Sequence, residues 1–135
     1  MKNTTRAKSN QQEKRIAKAM SGRQVIGSGS TPFLKGDVIV GNLFIEAKTK
    51  MLPSKSITVK KEWLEKAKAQ AIATRKLEYT VAISFGDPKE YYIIEDNFME
   101  RLIKSYEAIG EIQSYLHTFG DTDNILSIIE EVFEK

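Results

Sequence analysis

The segment from Lys35 to Lys50, KGDVIVGNLFIEAKTK, constrains the fold more than any other part of this chain. Two apolar runs flank Gly41-Asn42, and glycine at the first central position favours a type II′ turn between antiparallel strands. Such a turn fixes the register of the two strands. The predicted pairs are Val40 with Leu43, Ile39 with Phe44, Val38 with Ile45, and Asp37 with Glu46. The segment therefore predicts a β-hairpin with two carboxylates opposite each other.

The predicted pairing of Asp37 with Glu46 is unfavourable unless a positive charge lies between them. Directly opposed side chains have Cβ atoms about 4.5–5.5 Å apart, and like charges there destabilise a sheet. Lys48 points to the same side. With the Ala47 carbonyl, the carboxylates form an all-oxygen site suited to Mg²⁺, beside which Lys48 could orient a water or stabilise developing negative charge. The alternative is a solvent-exposed ribbon on which Lys48 is a plain ion-pair partner.

Residue usage limits the kinds of site that the chain can build. It has no cysteine and a single histidine, His117, which excludes thiolate and His-rich zinc sites. The Gly27–Ser30 loop, GSGS, lacks the Lys-Ser/Thr of a phosphate-binding P-loop, so we expect no nucleotide cofactor. No signal region and no run of about 18 apolar residues is found, so we expect no membrane association and a cytoplasmic protein.

Charge is divided unevenly along the 135 residues, a length that favours one compact domain. Residues 1–76 hold 17 Lys and Arg against 5 Asp and Glu, whereas residues 77–135 hold 4 against 13. A basic half of this kind favours a polyanionic partner, and the alternative is that the lysines only solvate helix faces.

Apolar spacing predicts the elements around the hairpin. They are a helix over 7–20, a short strand over 23–26, a helix over 60–76, strands over 78–85 and 90–96, and helices beyond Asn97 with a break near 119–124. Glu13 lies on the inward stripe of the first helix, and Gln70 lies on that of the second. The residues expected in the core include the aromatic Trp63, Tyr79, Phe85, Tyr91 and Tyr92.

The order of these elements resembles the PD-(D/E)xK nuclease superfamily. The residues that carry the resemblance are Glu13, Asp37, the Glu46-Ala47-Lys48 run and, less directly, Gln70. Over about residues 10–95 the chain is similar to archaeal-type Holliday-junction resolvases and to small phage-encoded resolvase-like nucleases. Gly36 stands where such families often have a proline.

The resemblance implies an α/β fold with a restriction-endonuclease-like core, in which a central mixed β-sheet is flanked by helices. The core would comprise residues 1–96, and residues 97–135 would form a C-terminal helical extension packed on the same domain. The resemblance also implies roles for individual residues. Asp37 and Glu46 would bind Mg²⁺ or Mn²⁺, Glu13 would contribute directly or through water, Lys48 would position the attacking water, and Gln70 would support the site.

DNA contacts are expected from two groups of residues. The resemblance assigns a substrate contact to Ser28 or Ser30, in the loop after the first helix. Basic side chains near the motif are expected to contact backbone phosphates without reading bases. These are Lys35, Lys50, Lys55, Lys60 and Lys61, with Arg6, Lys8 and Lys14 on the first helix.

The function that these expectations favour is a Mg²⁺-dependent, structure-selective endonuclease that hydrolyses phosphodiester bonds in branched DNA. Two opposed strands of a junction require two-fold related sites, so we expect a homodimer, in the host cytoplasm if the protein is phage-encoded. Two alternatives stay open. One is a nuclease of the same fold that acts on linear, nicked or flapped DNA, and the other is a noncatalytic DNA-binding module.

Overall fold

The structure, a computed structural model, describes residues 5–25 and 37–119 together with the isolated positions 127, 130 and 131. It consists of two compact units, Met1–Ile94 and Glu95–Lys135. The elements of the first unit are α1 (Thr5–Met20), β1 (Arg23–Gln24), β2 (Asp37–Val40), β3 (Leu43–Thr49), α2 (Lys61–Ala73), β4 (Glu78–Ser84) and β5 (Tyr91–Ile93). The second unit contains α3 (Asp96–Phe119).

The first unit has a five-stranded mixed sheet in the order β1-β2-β3-β4-β5. Only β3 and β4 run parallel among the neighbouring pairs, and α2 forms the crossover between them. The prediction of an α/β fold with a mixed sheet is therefore confirmed. The hairpin prediction is confirmed in register, since Asp37 faces Glu46 and Val40 faces Leu43. Gly41 has φ +55°, as the first central position of a type II′ turn requires.

The two faces of the sheet are covered by different helices. On one face Ile16 of α1 packs with Val38 of β2, with Ile45 and Ala47 of β3, and with Ala82 of β4. On the other face Ala71 and Ala67 of α2 pack in clusters with Phe44 and Val81, respectively. Because side chains alternate along a strand, Glu46 and Lys48 project to the same face as Phe44, which is the α2 face.

The end of α1 is fixed by a close approach to the hairpin. Ser21 adopts φ +55°, and the Gly22 amide donates a hydrogen bond of 2.8 Å to the Ala17 carbonyl. A Cβ on Gly22 would lie 2.5 Å from the Val40 side chain and 2.7 Å from the Ile39 carbonyl, so only glycine fits. This contact holds the C-terminal end of α1 against β2.

The aromatic residues of β5 depart from the sequence prediction. Tyr91 is 50% exposed and Tyr92 is 38% exposed, so neither belongs to the core. The strand has three residues and pairs only with β4 within the described sheet, which leaves one of its edges without a neighbour there. Tyr91 still meets Phe85 edge to face, with ring centroids 5.7 Å apart.

The second unit is described mainly by α3, a helix of 24 residues. It exposes the large apolar side chains of Met99, Leu102, Ile103, Tyr106, Ile112 and Tyr115. None of the described helices is long and apolar enough to cross a membrane. The packing of residues 97–135 on the first unit stays a prediction.

Candidate active site

Two buried carboxylates meet where β2 begins. Asp37 is the first residue of β2, and its Cα partner on β3 is Glu46. Asp37 is 1% exposed and Glu46 is 4% exposed. Their neighbours Val38 and Ile45 are fully buried, so both strands lie inside the unit at this point. The alternative of a solvent-exposed ribbon is therefore wrong. Burying two acids side by side is unfavourable unless a proton or a cation compensates for their charge.

Three oxygens of this pair have no hydrogen-bond partner among the residues that the structure describes. They are both carboxylate oxygens of Asp37 and Oε2 of Glu46, and all three are buried. A buried acceptor left unpaired costs roughly 1–3 kcal/mol, and more when it is charged. The three oxygens therefore form an acceptor-rich position that a hard cation would satisfy.

Without a cation, the site compensates with a proton. Burial raises the pKa of Asp37 to about 9, and the neighbouring Glu46 adds to the rise. Lys66 opposes the rise in pKa, whereas Glu13 adds to it. At neutral pH Asp37 therefore keeps a proton, and the negative charge of the pair lies on Glu46.

Two lysines share the remaining oxygen of Glu46. Oε1 lies 3.3 Å from Nζ of Lys48 on β3 and 3.6 Å from Nζ of Lys66 on α2. Lys48 is further confined by Trp63, whose ring centroid lies 5.2 Å from the ammonium. The predicted neighbours Asp37, Glu46 and Lys48 are therefore brought together, with Oε1 of Glu46 facing the lysines and Oε2 left without a partner.

Glu13 reaches this region from α1. It is 6% exposed, and Nε2 of Gln24 donates hydrogen bonds of 3.1 Å to its Oε2 and of 2.9 Å to Oδ1 of Asn10. Burial raises the pKa of Glu13, the bond from Gln24 opposes this, and the charge of Glu46 adds a further rise. Glu13 thus interacts with the pair through its charge while Gln24 fixes its carboxylate.

The metal-binding prediction can be compared with the donor set. Among residues 5–25 and 37–119, no group of three or more His, Cys, Asp or Glu side chains is arranged to hold a metal ion. A cation would therefore take Asp37 and Glu46 as its protein carboxylates, and the contribution of Glu13 stays a prediction. Mg²⁺ is commonly bound by one or two carboxylates and several waters, so these residues fit it. The role of the Ala47 carbonyl stays a prediction.

Gln70 is buried on α2, four residues after Lys66. It is 4% exposed, and neither its side-chain oxygen nor its side-chain nitrogen has a hydrogen-bond partner within the described part of the chain. The side chain therefore does not satisfy a buried backbone group of the described residues. Its supporting role in the site stays a prediction.

Two residues near the site were not identified from the sequence. Gln12 is fully buried and donates a hydrogen bond of 2.9 Å to the Lys48 carbonyl. Its position four residues before Ile16 places it on the inward stripe of α1, and this spacing could have identified it from the sequence. Lys66 lies four residues before Gln70, and this spacing places it on the stripe that faces the sheet.

The predicted DNA-contacting residues lie mostly at the surface. Lys55, Lys60 and Lys61 are exposed, and Lys50 is half-buried two residues after Lys48. Among the described residues, Lys60 and Lys61 make long ion pairs of 3.9 and 4.0 Å with neighbouring glutamates, and such exposed pairs are weak enough to leave the lysines available to other anions. Ser28, Ser30 and Lys35 lie outside the described residues.

Comparisons of the chain with protein-family models, curated proteins and solved structures found no match. The case for a function therefore rests on the site itself. It consists of a buried carboxylate pair with three unpartnered oxygens and two ammonium groups on the fourth oxygen. Such an arrangement suits chemistry on a phosphate ester, in which a cation and positive side chains compensate for negative charge.

Proposed function

We propose that this protein is a Mg²⁺-dependent endonuclease that hydrolyses phosphodiester bonds in branched DNA, with a restriction-endonuclease-like core. The observation that carries the proposal is the buried pair of Asp37 and Glu46, which has three oxygens without a partner among the described residues and a fourth that lies 3.3 Å from the Lys48 ammonium. The basic charge of residues 1–76 supports a polyanionic substrate. Two helices on opposite faces of a mixed sheet are compatible with the proposed core.

Each residue of the site has a distinct part in this proposal. Asp37 and Glu46 would hold Mg²⁺ or Mn²⁺, which when bound supplies a Lewis acid for the phosphate oxygens and lowers the pKa of bound water. Lys48 can donate a hydrogen bond to the attacking water and offset charge on the phosphate. Gln12 fixes the backbone of Lys48 through the hydrogen bond to its carbonyl. Glu13, held by Gln24, orients water in the shell around the carboxylates.

Lys48 is suited to its part by how tightly it is held. Its side chain is 31% exposed, its ammonium lies 3.3 Å from Glu46, and the Trp63 ring covers one side of it. A reacting phosphate would therefore meet an ammonium that is already oriented, and little reorganisation is needed in the transition state. This preorganisation distinguishes Lys48 from the surface lysines Lys55 and Lys61, which contribute affinity alone.

The proposed branched DNA substrate implies that the protein acts as a homodimer. Paired nicks on opposed strands need two active sites related by a two-fold axis. The apolar side chains exposed on α3 offer a surface for a second copy of the chain. Sedimentation of the full chain at micromolar concentration should therefore give a dimer, and a monomer would contradict this part of the proposal.

The proposal is tested by incubating a labelled four-way DNA junction and a linear duplex of matching sequence with the protein, in Mg²⁺ and in EDTA. We expect symmetric nicks on the junction alone, only with Mg²⁺. Asp37→Asn should bind the junction and fail to cut it. Cleavage of both substrates would support the alternative nuclease on linear, nicked or flapped DNA. Binding without cleavage by the wild type would support the noncatalytic DNA-binding module.

A further inference from the structure

Two ammonium groups converge on one carboxylate oxygen, and they are held differently. Lys48 lies 3.3 Å from Glu46 Oε1, has a side chain 31% exposed, and also contacts the Trp63 ring. Lys66 lies 3.6 Å from the same oxygen with a side chain 49% exposed, and the aromatic contacts of the described residues do not include it. The Lys66–Glu46 pair is thus the longer of the two, and the Lys66 side chain is the less confined. Lys66 projects from α2 rather than from the sheet.

The net charge of the site becomes more positive when a divalent cation binds. The metal-free site contains two carboxyl groups and two ammonium groups. A divalent cation would neutralise both carboxylates, and it would leave the charges of Lys48 and Lys66 uncompensated. A phosphodiester carries one negative charge, and a second develops as the attacking oxygen adds. Two free ammonium groups therefore match the transition state better than one.

Repulsion from the cation would act on both lysines, but only one of them can readily move. Lys48 is confined by Trp63 and by its position on β3. The side chain of Lys66 is half exposed and has four rotatable carbon–carbon bonds, so its ammonium can swing away from Glu46 toward solvent. In that direction it would meet a substrate bound over the site.

On the basis of the proposed function, we propose that Lys66 is a mobile cation of this active site. It pairs with Glu46 while the metal is absent and contacts the scissile phosphate once the metal is bound. Lys66 would then be a catalytic residue supplied by α2, in addition to Lys48 supplied by β3. The role predicts that Lys66 and the metal compete for Glu46, and that Lys66 is needed for cleavage.

A merely structural role for Lys66 predicts the opposite change in metal affinity when Lys66 is removed. If Lys66 only held Glu46 in place, its removal would leave the carboxylate disordered, and the metal would bind more weakly. If Lys66 competes with the metal, its removal relieves repulsion between an ammonium and a divalent cation. At separations of several ångströms such relief is worth roughly a three- to tenfold gain in affinity. The sign of the change therefore separates the two roles.

The experiment measures Mn²⁺ affinity by calorimetry on the full-length protein without DNA, and then single-turnover cleavage of the junction at saturating Mg²⁺. The variants are Lys66→Met, which keeps an unbranched side chain of similar length, and Lys66→Arg, which keeps the charge. Lys18→Met is the matched control, because Lys18 is an exposed lysine on α1 outside the site. Far-ultraviolet circular dichroism confirms that each variant is folded.

We expect Lys66→Met to bind Mn²⁺ roughly three- to tenfold more tightly and to cut roughly ten- to a hundredfold more slowly. Lys66→Arg should recover most of the rate, and Lys18→Met should match the wild type in both measurements. Weaker Mn²⁺ binding by Lys66→Met, or an unchanged cleavage rate, would overturn the role of Lys66 while leaving the nuclease in place. A wild type that neither binds Mn²⁺ nor cuts DNA would overturn the proposed function itself.

Discussion

Asp37→Asn should make the metal-free protein more stable while removing its activity. In the wild type at neutral pH, the buried Asp37 holds a proton that the unfolded chain would release, because burial and Glu46 raise its pKa to about 9. Asparagine has nearly the same shape and no proton to lose, and its amide nitrogen is a hydrogen-bond donor beside Glu46, which an ionised carboxylate is not. The substitution therefore removes the proton-linked penalty.

The size of this penalty follows from linkage. The folded pKa of Asp37 is about 9 and the ordinary value is 3.8, so the folded state binds the proton between these pH values and the unfolded state does not. The group thus stabilises the fold below about pH 4 and loses this effect as pH rises toward 9. At pH 7 the loss spans about three pH units at about 1.4 kcal/mol each, or about 4 kcal/mol. Relaxation of the buried site reduces this, so we expect a gain of about 2–4 kcal/mol in Asp37→Asn.

The assay is urea unfolding in EDTA at several pH values from 5 to 9, followed by the fluorescence of Trp63. This is the only tryptophan of the chain, and it lies against Lys48, so it reports on the first unit. Wild-type stability should fall with rising pH, whereas that of Asp37→Asn should change less. Asp87→Asn, at an exposed aspartate, is the matched control and should stay within about 0.5 kcal/mol of the wild type.

Only the wild type should respond to metal. Excess Mg²⁺ should stabilise the wild type, by about 2.7 kcal/mol at a hundred times the dissociation constant, and should leave Asp37→Asn unchanged. If Asp37→Asn unfolds at the same or a lower urea concentration than the wild type across this pH range, the carboxylate pair is not destabilising and the argument is refuted. Equal stabilisation of both proteins by Mg²⁺ would show that the metal binds elsewhere.

Three further outcomes are expected. Mn²⁺ affinity should rise up to about tenfold per pH unit from pH 6 to 8, because the proton on Asp37 competes with the metal. A Mn²⁺ affinity that calorimetry finds to be the same at these pH values would contradict this. Gln12→Leu should lower the free energy of unfolding by about 1–3 kcal/mol and slow cleavage, because the Lys48 carbonyl loses its donor, and the exposed Gln11→Leu should do neither. Lys60→Ala should reduce the salt dependence of junction binding by about one unit of log–log slope without changing the cleavage rate at saturation, and an unchanged slope would remove Lys60 from the DNA surface.

The sequence was most informative where local geometry determines the outcome. A two-residue turn with glycine at Gly41 leaves one register for the hairpin, so the facing of Asp37 and Glu46 follows from the chain alone. The inward direction of Glu13 follows from its spacing to Ile16 in the same way. In both cases the period of a single element decides which side a residue faces.

The sequence was less informative where two elements meet. Lys66 looks like any lysine on an amphipathic helix, and only the packing of α2 on the sheet brings it to 3.6 Å from Glu46. Tyr91 and Tyr92 have the composition of a core strand, but β5 lies at the edge of the described sheet, and edge position is a property of strand order. The hydrogen bond from Gln12 to Lys48 likewise joins residues 36 positions apart.

The unpartnered oxygens of Asp37 and Glu46 make structural and functional demands that oppose each other. The apolar packing of Val38, Phe44 and Ile45 holds the two strands rigidly, so the carboxylates cannot turn to water to relieve their repulsion. The rigidity that makes the metal-free site unfavourable is also what would hold the oxygens ready for a cation without reorganisation. A metal present at a hundred times its dissociation constant would restore about 2.7 kcal/mol, most of the expected penalty at pH 7. The free energy of unfolding should therefore increase with metal occupancy in this protein, as expected where a functional site lowers the stability of the fold.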